Sequence, residues 1–201
     1  MILILDYGLG NVYNLKNAIK KIGYESKISS DTDEIINADI VFLPGVGAFK
    51  AAMENLKNNN LIDALNKRKN ANKLIVGICL GMQVMFEASY EDGYCEGLGY
   101  FKGVFKEFDI KLKSPHMGWN ELIVNKKSFL TKGFNKENYA YYVHSYYLTE
   151  YNNENLILYS DYEVKVPGII LKDNLIGIQF HPEKSSKVGL KILENIIKEF
   201  I

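Results

Sequence analysis

The chain has 201 residues, of which 47% are hydrophobic and 24% are charged, and its 24 Lys and Arg side chains balance 24 Asp and Glu side chains. This length and composition exclude a disordered chain and favour a single domain, 1–201, with enough apolar side chains for a buried core. A formal net charge of zero at pH 7 excludes a broad basic surface for nucleic acid or an anionic membrane. Because Arg68 is the only arginine, bound carboxylates must be held mainly by backbone N–H groups, lysines or neutral polar groups.

Cysteine use and the N-terminus bear on the cellular compartment. The two cysteines, Cys79 and Cys95, are too few for a disulfide-stapled secreted scaffold. The apolar run that starts at Met1 ends at Asp6, without the basic segment and cleavage site of a signal peptide and far short of a membrane span. We therefore expect a cytoplasmic protein that makes no membrane contact.

The first half of the chain alternates short apolar runs with segments of helical periodicity. Strands are predicted at 2–5, 24–29, 40–43 and 74–78, and helices at 12–22, 31–36, 48–57, 61–69 and 81–88. This alternation predicts a parallel sheet covered by helices on both faces. The Lys-rich segment 66–70 is expected to be a solvated helix end rather than a nucleic-acid patch.

The second half is richer in strands. They are predicted at 103–108, 122–124, 139–147, 156–160, 166–171 and 175–180, several of them joined by hairpin-like turns such as 172–174. An amphipathic helix from about residue 186 ends the chain. The expected fold class is therefore α/β, with a central, mostly parallel sheet flanked by helices and an antiparallel extension in the C-terminal half.

The strongest local signal is a G-x-C-x-G sequence, Gly77 to Gly81, at the predicted boundary between a strand and a helix. Small residues permit the sharp turn of a nucleophile elbow, which holds the central side chain exposed above the sheet edge. The helix N-terminus also favours the thiolate form of Cys79, which gives a nucleophile that needs no metal. The alternative is an inert buried cysteine, and the flanking glycines favour the nucleophile.

A cysteine nucleophile needs a base, and the base needs an orienting group. His181 and Glu183 are two residues apart at the end of a predicted strand, so their side chains face one side, and a proline restricts the chain between them. With Cys79 they form a candidate catalytic triad. Alone, this His-Pro-Glu sequence is more typical of a surface turn. His116 and His144 are competing bases, but neither has a carboxylate at a short spacing.

A third element is the Pro-Gly-Val-Gly segment 44–47, which follows another predicted strand. Open α/β folds bind ligands at such strand ends, and flexible glycines can direct backbone N–H groups at a developing oxyanion. An ordinary turn is the alternative. No Cys/His cluster has the spacing of a zinc site.

Six motifs in chain order together resemble the class I (triad-type) glutamine amidotransferases, and the resemblance runs essentially from end to end. They are DYGLGN at 6–11, PGVGAF at 44–49, GICLGMQ at 77–83, HMGWN at 116–120, VHSY at 143–146 and QFHPEKS at 179–185. Within this family, the first, fourth and fifth motifs are similar to the glutaminase subunits of histidine biosynthesis. The resemblance implies a flavodoxin-like fold, no cofactor or metal, and hydrolysis of L-glutamine to glutamate and ammonia through a Cys79 thioester.

The resemblance also implies roles for individual residues. His181 would move protons and Glu183 would orient it. The oxyanion element would be formed by Gly45, Val46, Gly47 and Leu80. The residues implied to bind glutamine are Gln83, Glu91, Ser145 and Tyr146, with a solvated loop acid as the alternative for Glu91.

A partner subunit is the last implication of the resemblance. Free ammonia would pass through a tunnel to a (β/α)8 barrel cyclase in a heterodimer, whose interface in the family involves positions matching Trp119, Asn120, Tyr141 and Lys184. Trp119 could instead be a core residue. Two alternative functions remain: a paralogous glutaminase subunit that supplies ammonia to a sugar-modifying partner, and a non-catalytic regulatory subunit.

Overall fold

The structure, a computed structural model, describes residues 1–112, 114–134 and 138–201. In this part of the chain the α-helices are Val12–Lys21 (α1), Thr32–Asn37 (α2), Phe49–Asn58 (α3), Leu61–Asn70 (α4), Leu80–Gln83 (α5) and Ser186–Phe200 (α6). The strands are Ile2–Leu5 (β1), Ser26–Ser29 (β2), Ile40–Gly45 (β3), Leu74–Cys79 (β4), Ala88–Ser89 (β5), Cys95–Glu96 (β6), Val104–Glu107 (β7), His116–Glu121 (β8), Ile123–Val124 (β9), Tyr139–His144 (β10), Tyr146–Thr149 (β11), Leu156–Tyr162 (β12), Val164–Lys172 (β13) and Leu175–Ile178 (β14). No helix among these residues has both the length and the apolar content that crossing a membrane requires.

The central sheet has eight strands within the described residues, in the order β2-β1-β3-β4-β14-β13-β12-β9. The pairs from β2 to β14 are parallel, and the pairs from β14 to β9 are antiparallel. Two smaller sheets, β10-β8 and β11-β7-β5-β6, lie beside it. This arrangement confirms the expected α/β class with a parallel centre and an antiparallel extension.

Each face of the parallel strands is covered by helices, because the strands are apolar on both sides. Helices α1 and α6 pack on one face, and α3 and α4 pack on the other. The first core includes Leu15, Ile19, Ile192, Leu193 and Ile196, and the second includes Phe49, Ala52, Leu56, Leu61 and Leu65.

The carboxyl ends of β3, β4 and β14 lie next to one another in the sheet. Gly45 at the end of β3 is paired with Cys79 at the end of β4, and Ile178 at the end of β14 is paired with Ile78. Because ligands bind at this edge of open parallel sheets, the topology brings the predicted glycine segment, cysteine and His-Pro-Glu segment to one place.

The segment 66–70 ends α4 with Lys67, Lys69 and Asn70 exposed, as expected for a solvated helix end, but the only arginine within it is buried. Arg68 has no exposed surface, and its guanidinium donates to the backbone carbonyls of Ile35, Ala38, Asp39 and Leu74 at 2.7–3.0 Å. These carbonyls lie at the ends of α2, β3 and β4 or beside them. Arg68 therefore joins three elements of the parallel half, and its five N–H donors suit this role better than a lysine would.

The expected helix 81–88 is the main error of the element predictions. Helix α5 ends at Gln83, and the carbonyls of Val84, Met85, Phe86 and Glu87 accept hydrogen bonds from the backbone of 97–101. In a helix over 81–88 the Val84 carbonyl would instead accept from the N–H of residue 88. The helix that follows Cys79 is therefore a single turn. Its dipole, which we expect to favour the Cys79 thiolate, is that of one turn only.

The antiparallel region also differs from the prediction. Strand β8 was missed, although its residues carry one of the six motifs. The expected strand 139–147 is broken at Ser145 into β10 and β11, which belong to different sheets. The Ser145 carbonyl accepts a backbone hydrogen bond from Phe108, in register with the pairing of β11 and β7.

Candidate active site

Cys79 lies at a strained turn between β4 and α5. Its backbone has φ 54° and ψ −115°, a conformation that is rare for a residue with a side chain. The turn requires glycine on both sides: a Cβ at Gly81 would lie 1.7 Å from the Leu43 carbonyl oxygen, and one at Gly77 would lie 2.5 Å from the Gly81 oxygen. This is the geometry that the G-x-C-x-G spacing predicts for a nucleophile elbow.

His181 and Glu183 are brought together by the segment that follows β14. A 3-10 turn, Pro182–Lys184, starts after His181, and the His181 N–H donates to the Tyr141 carbonyl at 3.0 Å. The Nδ1 atom of His181 is 2.8 Å from Oε1 of Glu183, and both side chains are at least 96% buried. Since a carboxylate only accepts, Nδ1 carries a proton and Nε2 is left for other chemistry.

The charge state of His181 depends on its two ionisable neighbours. Burial lowers its pKa, but the nearby Cys79 and the Glu183 carboxylate, which accepts from Nδ1, outweigh this effect and raise the pKa from 6.5 to about 10. This direction favours the charged imidazolium form of His181.

Gln179 is a site residue to which the sequence reasoning gave no role. It is 1% exposed, its Nε2 lies 4.0 Å from the Cys79 sulfur, and its Oε1 accepts from Nε2 of Gln83 at 3.3 Å. The amide thus links a predicted substrate residue to the cysteine. Its position, directly after β14 and two residues before His181, could have indicated from the sequence that Gln179 lies in the site.

A cavity of about 300 Å³ opens above Cys79. Its size suits an amino acid, and its wall combines apolar side chains with neutral polar groups, one carboxylate and the His181 ring. The lining residues are Val46, Gly47, Cys79, Leu80, Gln83, Glu91, Pro115, Val143, His144, Ser145, Tyr146 and His181. All four residues predicted to bind glutamine are among them.

The four predicted oxyanion residues fall into two groups. Val46, Gly47 and Leu80 line the cavity, and Gly47 has φ 110°. Gly45 does not line it. A Cβ at Gly45 would lie 2.3 Å from the Tyr7 hydroxyl oxygen. Close packing beneath the elbow therefore explains why position 45 is a glycine.

Glu91 has a defined structural contact and is not a free loop acid. Its Oε2 accepts from the backbone N–H of Phe49 at 2.7 Å, at the N-terminus of α3. Glu91 also lines the cavity, so this hydrogen bond fixes its carboxylate at the cavity wall.

The competing bases, His116 and His144, hydrogen-bond to each other. Nδ1 of His116 is 3.0 Å from Nε2 of His144, and Nδ1 of His144 is 2.8 Å from the Tyr146 carbonyl oxygen. Burial lowers the pKa of His116 to about 4 and that of His144 to about 3. Both rings are neutral near pH 7, and the two nitrogens of His144 are already engaged.

The predicted interface residues lie on two faces of β8 and β10. Trp119 is 53% exposed, and its ring lies edge-on to Tyr141 at 6.1 Å, over which the Lys184 ammonium sits at 6.0 Å. Asn120 lies on the opposite face of β8, and its side-chain amide donates to the Gly118 carbonyl at 3.4 Å. The structure therefore groups Trp119, Tyr141 and Lys184 on one surface and does not bring Asn120 to it.

The described residues contain no group of three or more His, Cys, Asp or Glu side chains that could hold a metal ion. The two cysteines are not bonded to each other, and Cys95 lies outside the cavity. The chemistry that the site can perform with its own groups is therefore nucleophilic attack by sulfur with proton transfer by an imidazole.

Known proteins similar to this chain share its length. The family model for class I glutamine amidotransferases matches residues 3–200. The chain is similar to the imidazole glycerol phosphate synthase subunit HisH of Bacillus cereus, with 45% identity over 195 residues, which cover 97% of this chain and 93% of that protein. The same subunit of Bacillus thuringiensis is 46% identical with the same coverage.

Solved structures with the same fold are more distant in sequence. PurLQS from Thermotoga maritima has a TM-score of 0.77 at 20% identity and covers 100% of this chain and 98% of that chain. A structure described as a glutamine amidotransferase has a TM-score of 0.75 at 15% identity, covering 98% and 99% of the two chains. At these identities the likeness concerns the fold.

Proposed function

Since the chain belongs to the class I glutamine amidotransferase family, we propose that it hydrolyses the side-chain amide of L-glutamine as the glutaminase subunit of an imidazole glycerol phosphate synthase. The observation that carries the proposal is the position of Cys79: a strained elbow cysteine beside a charged His181–Glu183 pair, at the base of an amino-acid-sized cavity. An inert core cysteine would need none of these features.

In the first step, the Cys79 thiolate attacks the amide carbon, and the carbonyl oxygen becomes an oxyanion. Backbone N–H groups of Val46, Gly47 and Leu80 are the candidate donors for it, since these residues line the cavity. The His181 imidazolium then gives its Nε2 proton to the leaving nitrogen. Ammonia departs, and the glutamyl group is bound to sulfur as a thioester.

In the second step, neutral His181 takes a proton from water, and the oxygen attacks the thioester carbon. The C–S bond breaks, glutamate leaves, and the thiolate and imidazolium are restored, so that one water is consumed for each glutamine. Glu183 holds Nδ1 of His181 throughout and stabilises the charge that forms on the ring.

Substrate recognition is assigned to neutral and acidic groups, in keeping with the single arginine. Glu91 is the candidate partner of the glutamine ammonium group, because its carboxylate is fixed at the cavity wall. Gln83, Ser145 and Tyr146 supply neutral polar contacts for the remaining groups of glutamine.

The partner is a (β/α)8 barrel cyclase that uses the ammonia to make imidazole glycerol phosphate and AICAR. It would cover the surface of Trp119, Tyr141 and Lys184.

Complementation of a histidine auxotroph that lacks its own glutaminase subunit tests this proposal. The gene is expressed together with a compatible cyclase subunit, and we expect growth without histidine. Failure to grow, with glutamine hydrolysis intact in the purified complex, would overturn the histidine-pathway assignment and favour a sugar-modifying partner. Absence of glutamine hydrolysis with the partner bound would instead favour the non-catalytic alternative.

A further inference from the structure

Two buried histidines outside the proposed triad form a directional chain of hydrogen bonds beside the cavity. His116 on β8 and His144 on β10 are directly opposite each other in the antiparallel register. His144 lines the cavity, and His116 lies behind it with no exposed surface. The chemical steps proposed above use neither ring.

The contacts decide which nitrogen of each ring carries the proton. The Tyr146 carbonyl can only accept, so Nδ1 of His144 must donate to it at 2.8 Å. In neutral His144, Nε2 is then an acceptor, and Nδ1 of His116 must donate to it at 3.0 Å. Both rings therefore carry their proton on Nδ1, and both bonds point toward Tyr146.

The surroundings hold this arrangement in place. The His116 ring is stacked between the rings of Tyr142 and Tyr162, with centroid distances of 4.7 and 4.0 Å. Phe108 packs against both histidines, at 6.0 Å from His116 and 5.3 Å from His144. Aromatic packing on these sides leaves the two imidazoles in one relative orientation.

The last bond of the chain bridges the break between two sheets. His144 ends β10, Ser145 forms the bend, and Tyr146 starts β11. Strand β10 pairs with β8, whereas β11 pairs with β7 in another sheet. The bond from His144 to the Tyr146 carbonyl therefore spans the bend that directs Ser145 and Tyr146 to the cavity wall.

We propose that His116 is a positioning residue for the glutamine pocket: it fixes the Nδ1–H tautomer of His144, which holds the Tyr146 carbonyl and sets the bend that presents Ser145 and Tyr146 to the substrate. This inference rests on the proposed function for the identity of the substrate. The alternative tautomer of His144 would place a lone pair against the Tyr146 carbonyl and release the bend.

The arrangement also keeps a second base away from the reacting groups. With its Nε2 occupied by His116, His144 cannot take the proton that belongs to His181. A neutral His144 beside the His181 imidazolium leaves one positive charge at that wall of the cavity.

The test combines histidine tautomer measurement with glutaminase kinetics in three variants. Long-range ¹H–¹⁵N NMR on histidine-labelled protein at pH 7 reads the protonated nitrogen of His144. His116→Leu removes the donor, His116→Asn retains an N–H near the position of Nδ1, and Phe108→Leu loosens the packing without removing a hydrogen bond. Kinetics are measured on the complex with the cyclase.

We expect Nδ1–H on His144 in the wild type, in His116→Asn and in Phe108→Leu, and a mixture of tautomers in His116→Leu. In His116→Leu the KM for glutamine should rise about five-fold, the effect of losing one hydrogen bond between neutral groups, with kcat changed less than two-fold. His116→Asn should restore most of the KM.

Three results would overturn the proposal: a proton on Nε2 of wild-type His144, an unchanged KM and tautomer in His116→Leu, or His116→Asn behaving like His116→Leu. If His116→Leu does not fold, the wild-type spectrum still decides, because a proton on Nε2 of His144 would overturn the proposal. A wild-type complex that hydrolyses no glutamine would refute the proposed function, whereas the NMR result would still report on the histidine chain.

Discussion

Two regions of the molecule meet at the same cavity: the ends of the parallel strands β3, β4 and β14 with the residues that follow them, and the antiparallel strand β10 with the bend after it. The parallel strands end in the residues proposed to react, Cys79 and, three residues after β14, His181. The antiparallel strands contribute a neutral histidine pair on the inner face and an aromatic surface on the outer face. One side of the site thus carries the ionised groups, and the other carries neutral ones.

This difference has a physical origin. Parallel strands buried on both faces give a stiff edge, on which a strained cysteine and a charged pair can be held. The small two-stranded sheet β8-β10 has one outer face with exposed Trp119, and its inner face reaches the cavity through His144 and Ser145.

The largest expected effect separates the two members of the charged pair. His181→Ala should lower kcat for glutamine hydrolysis more than about 1,000-fold, because it removes the group that moves protons. Glu183→Gln should lower kcat only about 100-fold, since the imidazole remains but is held less well. The measurement is glutamate release by the complex at saturating glutamine, and equal losses would show that Glu183 does more than orient His181.

A second prediction concerns the stability of the parallel side. Arg68→Met should lower the free energy of unfolding by about 3 kcal/mol, because backbone carbonyls of α2, β3 and β4 lose a buried donor. Lys67→Met, at an exposed position of the same helix, is the matched control and should change stability by less than about 0.5 kcal/mol. Urea unfolding measures both, and equal effects would refute the role given to Arg68.

On the antiparallel side, a surface substitution should affect assembly and leave the fold intact. Trp119→Ala should weaken binding of the cyclase partner about 30-fold, as for an aromatic interface anchor, with little change in the unfolding of the free chain. Tyr94→Ala removes a comparably exposed aromatic ring, 62% exposed, away from β8 and β10. Titration calorimetry should give wild-type affinity for Tyr94→Ala, and a similar loss in both variants would exclude this surface as the interface.

The smallest expected effect is a shift in a titration. His181 should titrate near pH 10 in the wild type, and Glu183→Gln should lower its pKa by about one unit through loss of the carboxylate. Because the folded-state pKa of His181 lies above its unfolded value, the protonated ring stabilises the folded chain. This contribution to the free energy of unfolding is complete below about pH 6.5 and is lost as the pH rises toward 10. NMR titration of the His181 ring measures this, and titration near pH 6.5 in the wild type would contradict it.

The sequence predicted the parallel side more accurately than the antiparallel side. Runs such as 74–78 are apolar throughout, and helices between them follow a clear period, so β4 and its neighbours were placed within two residues. The elbow was predicted because glycine spacing reports backbone geometry directly. The end of α5 was missed, since it depends on carbonyls taken by the distant segment 97–101.

The antiparallel side depends on contacts that no local pattern carries. Strand β8 alternates exposed and inward residues, but Gly118, Asn120 and Glu121 belong to residue types that are depleted in strands. The bond from His144 to the Tyr146 carbonyl spans the break at Ser145, and the pairing of His116 with His144 joins positions 28 residues apart. Spacing along the chain could name these histidines as possible bases but could not show that they engage each other.

The proposed chemistry is tested most directly by replacing the two cysteines one at a time. Glutamate release from glutamine is measured in the complex with the cyclase for the wild type, Cys79→Ala and Cys95→Ala, the last being a control at a partly exposed cysteine outside the cavity. We predict that Cys79→Ala lowers the rate more than about 1,000-fold and that Cys95→Ala retains it. Retention of activity in Cys79→Ala would contradict the thioester mechanism and the assignment of this cavity as the active site.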